Sequence, residues 1–301
     1  MHYFQSYQGE FYALFTAIFW TATALAFESA SLKVGSLSVN IIRLIFGFLF
    51  LSIFTFFLRG NFLPVDAEKF NWVWLSASGL VGFVFGDLFL FKSYTIIGSR
   101  FAMLIMSLVP PLAALFGWII LGEKLKILSV LAMLITLSGI AMAIFSRKRH
   151  SSKFSLKLAP RGLIYAFGGA LGQALGLVLS KYGMQDYCPF AATQIRIIAG
   201  IAGFFILISF TGRWKPVFEA LSNRRAMVHT ATGSFFGPFL GVSFSLLAVA
   251  NTQTGIASTI MALVPVLIIA PAMVFMKQKV TLFEVLGALV SVLGTAIFFV
   301  F

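Results

Sequence analysis

Two carboxylates, Glu28 and Asp87, stand inside long apolar runs. An ionised group there is costly, so such residues are functional candidates by default. A carboxylate at that depth can carry a proton, hold a cationic group or pair with a neighbouring base. Lys92 lies five residues beyond Asp87, so a local ion pair or an interfacial anchor is its simplest reading. Lys181 occupies in the second half of the chain the position that Glu28 has in the first, and either side chain can snorkel to the interface. Arg43 and Arg196 recur in the same way, with Asn40 and Gln194 beside them as hydrogen-bonding groups. An arginine about one turn into an apolar run can snorkel, cap carbonyls or bind an anion; the recurrence points to a shared structural role.

A second set of polar residues is milder. Thr16, Trp20 and Thr23 fall at helical spacing in the first run, and Gln173 takes the place of Trp20 in the sixth, followed by Ser180. Ser107, Ser234, Ser243, Ser245, Ser258 and Thr259 lie in other runs. Each alone can satisfy itself on its own helix. Together they outline a pocket of mixed polarity, with Trp20, Thr23, Glu28, Asp87, Ser107, Gln173, Ser243 and Ser258 as candidate substrate-binding residues. Catalysis is a poor fit: there is no His-Glu-x-x-His or Gly-x-Ser-x-Gly string, and no phosphate-binding Gly-x-x-x-x-Gly-Lys-Ser/Thr loop. His2, His150 and His229 are scattered, and Cys188 is the one cysteine, so neither a zinc site nor an internal disulfide is expected. No cofactor and no catalytic residue is assigned.

The elements that must position these residues follow from composition. Of 301 residues 60% are hydrophobic and 10% charged, with a mean hydropathy of +0.99. A soluble domain carries about a quarter charged residues, so lipid is the natural solvent of this chain. The net charge of +13 does not indicate nucleic acid, because the basic residues sit in short gaps between apolar runs. Residues 1–9 hold no lysine or arginine, so the first run reads as a retained helix and not a signal peptide.

About 20 apolar residues cross the hydrocarbon core as a helix. Ten runs qualify: 11–31, 38–58, 70–91, 99–121, 127–145, 162–182, 189–210, 226–249, 255–276 and 282–301. Between the fifth and sixth lies the basic stretch 146–161, read as a solvated linker near anionic headgroups. An offset of 153 brings Gly9 onto Gly162 and Arg43 onto Arg196; an offset of 155 brings Leu108-Val109-Pro110 onto Leu263-Val264-Pro265. The expected architecture is an all-α polytopic membrane protein of ten transmembrane helices in two five-helix repeats, 1–145 and 162–301, joined by 146–161. Odd-numbered repeats must enter the membrane in opposite senses, which makes them inverted. The excess of lysine and arginine on the linker's side places the linker in the cytoplasm and both termini outside.

Glycines at four-residue spacing, Gly168/Gly172/Gly176 and Gly233/Gly237/Gly241, with the looser Gly79/Gly82/Gly86, predict close helix packing or sliding surfaces. Pro110 and Pro265 sit inside apolar runs, where a proline frees a carbonyl in the preceding turn, and are read as kinks or hinges beside a central cavity.

These features resemble the ten-helix EamA-type members of the drug/metabolite transporter superfamily over essentially the whole chain. The matching residues are Ala17-Ile18-Phe19-Trp20-Thr21 in the first run, Arg43-Leu44 and Arg196-Ile197 in the second run of each half, and Pro110 through Leu121-Gly122-Glu123-Lys124 in the fourth. Thr21 stands where the family commonly has glycine, and Lys277-Gln278-Lys279 replaces the Gly-Glu turn in the second half. The resemblance implies a secondary transporter or exporter of small metabolites such as amino acids or nucleobases, working without ATP through a cavity between the halves. It implies a multi-pass inner-membrane protein, monomeric or homodimeric, whose partners are a small metabolite and the bilayer. Family members usually have cytoplasmic termini, opposite to the charge count here. A flippase for lipid-linked sugars is the alternative transport reading.

Overall fold

The computed structural model describes residues 6–146, 160–276 and 280–300. Most of the linker, Lys277-Gln278-Lys279 and the side chain of Glu28 lie outside the described residues. Helices α1 (Gln8–Val34) and α2 (Ser36–Arg59) are joined by Gly35 alone. Its φ of 80° and ψ of 151° belong to a region that only glycine enters cheaply, so the reversal is written in one residue. Helix α3 (Lys69–Gly79) continues through a π-helical turn, Leu80–Gly86, into α4 (Asp87–Met106). Then follow α5 (Val109–Leu121) and α6 (Ile127–Ser146).

The second half repeats this plan with α7 (Pro160–Met184) and α8 (Pro189–Thr211), then a short α9 (Trp214–Leu221). Helix α10 (Arg224–Ser234) passes through a π turn, Phe235–Gly241, into α11 (Val242–Asn251). The chain ends with α12 (Thr254–Met261), α13 (Val264–Leu267), α14 (Ile269–Met276) and α15 (Leu282–Ala296). The two π turns stand at the 155 offset, so the interruption is duplicated with the repeat.

Among the described residues nine helices are long and apolar enough to cross a membrane, and Val109–Leu121 is a shorter apolar helix. Large apolar side chains face outward throughout, Phe210 at 89% exposure being the extreme. That surface has a place only in lipid. Two expected boundaries are corrected. The connection expected near 92–98 lies inside α4, for that stretch contains no proline to stop the helix. The fourth and ninth spans are each broken before their proline: Pro110 and Pro265 stand in the first turn of α5 and α13, after Leu108 and Leu263. A first-turn proline lacks only an N–H that would have been unpaired anyway. The interruptions therefore lie in the turns at 107–108 and 262–263, with each proline opening the segment that follows.

Packing is reciprocal between the halves. Helix α7 runs against α3 and α4, with a β-carbon at Gly172 falling 2.7 Å from the Cα of Gly86, and one at Gly176 falling 2.9 Å from that of Gly82. Gly172 and Gly176 of the α7 stripe thus meet Gly86 and Gly82 of the looser set backbone on backbone, while Gly168 meets the Phe89 ring and Gly79 the Arg196 carbonyl. Helix α1 runs in the same way against α10 and α11, where Gly241 meets Trp20 and Gly237 meets Thr23. Helices α2 and α8 pack on each other, and α6 packs on α15 through Gly139 and Gly287. The first span of each half is seated on the third span of the other, so neither half closes its own core.

Candidate functional site

The charged residues meet where these cross-packed helices are interrupted. Asp87 opens α4 directly after the first π turn and is buried. Arg43 of α2 forms an ion pair with it, and Gln173 Nε2 of α7 donates to Asp87 Oδ1 at 2.9 Å and to the Gly82 carbonyl at 3.3 Å. A π turn shifts the backbone ladder by one residue and leaves room for such an outside donor. Gly86, at the end of that turn, lets Gln173 in: a β-carbon there would lie 3.2 Å from Gln173 Nε2. One carboxylate is therefore shared by both repeats.

This replaces the expected local pairing with Lys92 and decides among the options left open for Arg43. Asp87 takes Arg43 across 44 residues of sequence, while Lys92 is exposed. Arg43 reaches into the protein and lies over the Phe27 ring at 5.5 Å, so it does not snorkel. Lone burial of either charge would cost several kcal/mol, and pairing offsets that cost.

Arg196 is different. It is 5% exposed, its guanidinium lies 5.0 Å from the Phe83 ring centroid, and its Nε is sealed without a hydrogen bond. Among the described residues no carboxylate pairs with it. The equivalent of Asp87 at the 155 offset is Val242.

The remaining candidates are dispersed around this centre. Trp20 is half-buried against Gly241. Thr23 donates to the carbonyls of Phe19 at 2.9 Å and Gly233 at 3.4 Å, bridging α1 and α10. Ser243 is fully buried with no partner for its hydroxyl, and Ser258 donates to the Gly255 carbonyl at 3.2 Å. Ser107 lies in the turn between α4 and α5. For Glu28 the backbone belongs to α1, and its relation to Lys181 lies outside the described residues.

Lys181 has another acid. Its Nζ donates to Glu123 Oε1 at 2.7 Å and to the Thr252 carbonyl at 2.8 Å. Glu123 Oε2 accepts from both the N–H and the hydroxyl of Thr254, at 2.8 and 2.7 Å, and the Thr252 hydroxyl donates to Glu10 Oε1 at 2.6 Å. Gly122 places the glutamate. In the left-handed conformation (φ 69°) it ends α5, and the Glu123 N–H then bonds back to the Gly117 carbonyl. This knot ties α1, α5, α7 and the α11–α12 turn together under a cleft of about 440 Å³. On the same face, Arg59 at the end of α2 pairs with Asp66, and Tyr187, after α7, donates to Asp66 Oδ1 at 3.0 Å. Burial works to raise the Asp66 carboxyl, but the Tyr187 hydroxyl and Arg59 outweigh it and hold it below the usual carboxylate range.

Sequence reasoning missed Glu123 as the partner of Lys181, although the signal was present in the Gly-Glu turn and in Lys181. The cross-half pairing of Gln173 with Asp87 had no signal in spacing.

With this geometry in place, similarity to known proteins settles the family. The pattern of the EamA-like transporter family matches twice, over residues 7–145 and 160–300. The chain belongs to the EamA-like transporter family. An uncharacterized transporter of Clostridium kluyveri is 24% identical over 60% of this chain and 57% of its own length. The uncharacterized transporters YvbV and YxxF of Bacillus subtilis are 25% and 27% identical, over 61% and 71% of this chain and 57% and 66% of their own. The matched segments thus span less than two thirds of these curated relatives. A solved crystal structure of a protein, 17% identical, superposes with a TM-score of 0.77 over 96% of both chains, which shows a shared fold. The family is one of transporters, and the long apolar helices of this chain are those of a multi-pass membrane protein.

Proposed function

We propose that this EamA-family member is a secondary transporter that exports a small polar metabolite, such as an amino acid or a nucleobase, across the cell membrane by alternating access. The substrate lies between the halves, near Asp87 and Gln173, with Trp20, Thr23, Ser107, Ser243 and Ser258 around it and Glu28 on the same helix as Trp20. The observation that carries this reading is the Arg43–Asp87–Gln173 cluster around the buried Asp87 carboxylate, which joins both repeats beside a π turn. A charge network at that depth, built from two halves that each pass their first span to the other, can be remade when the halves rock. The Glu123–Lys181 knot closes one face beyond it and would open in the opposite state.

Proteoliposomes preloaded with labelled amino acids or nucleobases test this. Wild-type protein should exchange at least one class well above protein-free vesicles, and Asp87→Asn and Gln173→Ala should cut that flux at least tenfold. No flux of any class above protein-free vesicles, or unchanged flux in Asp87→Asn, would sink the proposal.

A further inference from the structure

The central cluster holds two guanidinium groups and one carboxylate. Arg43 has Asp87; Arg196, at the same position of the other repeat, has the face of Phe83 and no counter-ion among the described residues. Only its Nε is sealed; the two terminal nitrogens, equally without hydrogen bonds, are not fully closed in. Substitution of Gly82 would place a β-carbon 3.5 Å from Nη2, so the group sits against the same π turn whose Gly82 carbonyl receives Gln173. A buried cation with one ring for company is an expensive arrangement, because a ring face returns only part of the hydration it replaces. A guanidinium presents paired N–H donors that match a carboxylate or phosphate, and an anion arriving there would find its donors ready.

We propose that Arg196 binds an anionic group of the transported metabolite, taking from the substrate the counter-ion that Val242 cannot supply. The inference rests on reading this cluster as the substrate site. It narrows the cargo to molecules bearing a carboxylate or phosphate. Neutral nucleobases and sugars fall outside it, and amino acids enter with the carboxylate toward Arg196. Arg43, already neutralised, is left to hold the scaffold.

Thermal unfolding of the full chain in detergent tests this with probes matched in size and different in charge: benzoate, benzamide and benzamidinium, together with succinate, inorganic phosphate and chloride. At least one organic anion or phosphate should raise the melting temperature by several degrees, and benzamidinium should not. Arg196→Gln should abolish that shift. Arg196→Lys, which keeps the charge and loses the fork, should weaken the tightest anion at least tenfold; if Arg196→Gln does not fold, this variant decides the matter. A shift that survives in Arg196→Gln or is undiminished in Arg196→Lys, a wild type that answers to no anion, or an equal response to benzamidinium would overturn the proposal. A response to chloride alone would overturn the metabolite assignment. Vesicle flux measured in parallel separates the two readings. Flux untouched by Arg196→Gln removes the anion site and leaves transport standing. Anion binding lost in that variant, with no flux of any probe, keeps the site and sinks the transport reading.

Discussion

The two repeats place an arginine at the same point of their second span and then treat it differently. In the first, Asp87 follows the π turn and neutralises Arg43; in the second, Val242 follows the π turn and Arg196 has no carboxylate among the described residues. The seams differ in the same spirit. Helix α7 meets α3 and α4 glycine to glycine, whereas α1 meets α10 and α11 with Trp20, Thr23 and Phe27 filling the space over Gly241, Gly237 and Gly233. Duplication fixes where helices break and cross; it leaves each copy free to lose a charge or gain a ring. The proposed anion site depends on that asymmetry, because a guanidinium already matched by a carboxylate has less to offer an anionic ligand.

The largest effect is expected from breaking the neutral half. Asp87→Asn strands Arg43 in the interior and should destabilise the protein by about 3–5 kcal/mol. The double variant Arg43→Gln/Asp87→Asn should recover much of that loss, and denaturant unfolding in detergent reads both. If the double variant is no more stable than the single one, Arg43 is not the partner that matters.

Next in size is the contrast between seams. Gly172→Ala pushes a methyl against the Gly86 backbone and should cost about 3 kcal/mol, while Gly237→Ala meets only the Thr23 and Phe27 side chains and should cost about 1 kcal/mol. Equal melting temperatures would show that the glycine-to-glycine seam is no tighter than the other. A third experiment makes the halves alike. Val242→Asp supplies the missing carboxylate, and should raise thermal stability while reducing anion binding at least tenfold. A variant that is destabilised and binds anions unchanged would show that position 242 does not face Arg196.

The smallest effect belongs to the closed face. Asp66 is held below the usual carboxylate range, so its contribution is present above about pH 4 and is lost as the pH falls through its folded-state value. Asp66 is well exposed, so the change should be slight: Asp66→Asn should lower the neutral plateau of a stability profile a little and converge with wild type in acid, which flattens the acid limb. A variant that loses stability equally at pH 3 and pH 7 would show that the ion pair with Arg59 contributes nothing of its own.

Much of the scaffold was legible before any coordinates, because apolar runs of membrane length admit only one backbone solution, the helix. The duplicated Arg43/Arg196 and Pro110/Pro265 gave the repeat, and the glycine stripes gave the surfaces of close approach. The boundaries were less legible: nothing in 92–98 stops a helix, and Pro110 reads equally as a kink inside a helix or as the start of one. The site was legible as a set of residue types but not as partners. Asp87 has Lys92 close by in sequence and pairs with Arg43, and Lys181 aligns with Glu28 and bonds Glu123.

By itself, then, the sequence determined the solvent, the helices, their duplication and the short list of polar residues that lipid would not tolerate unaccompanied. Only the tertiary structure decided which of them accompany one another. Hydropathy and spacing act along the chain, whereas a buried charge is satisfied across it. Asp87 and Gln173 come from different repeats, and Arg196 is left without a carboxylate by the identity of a residue 46 positions away.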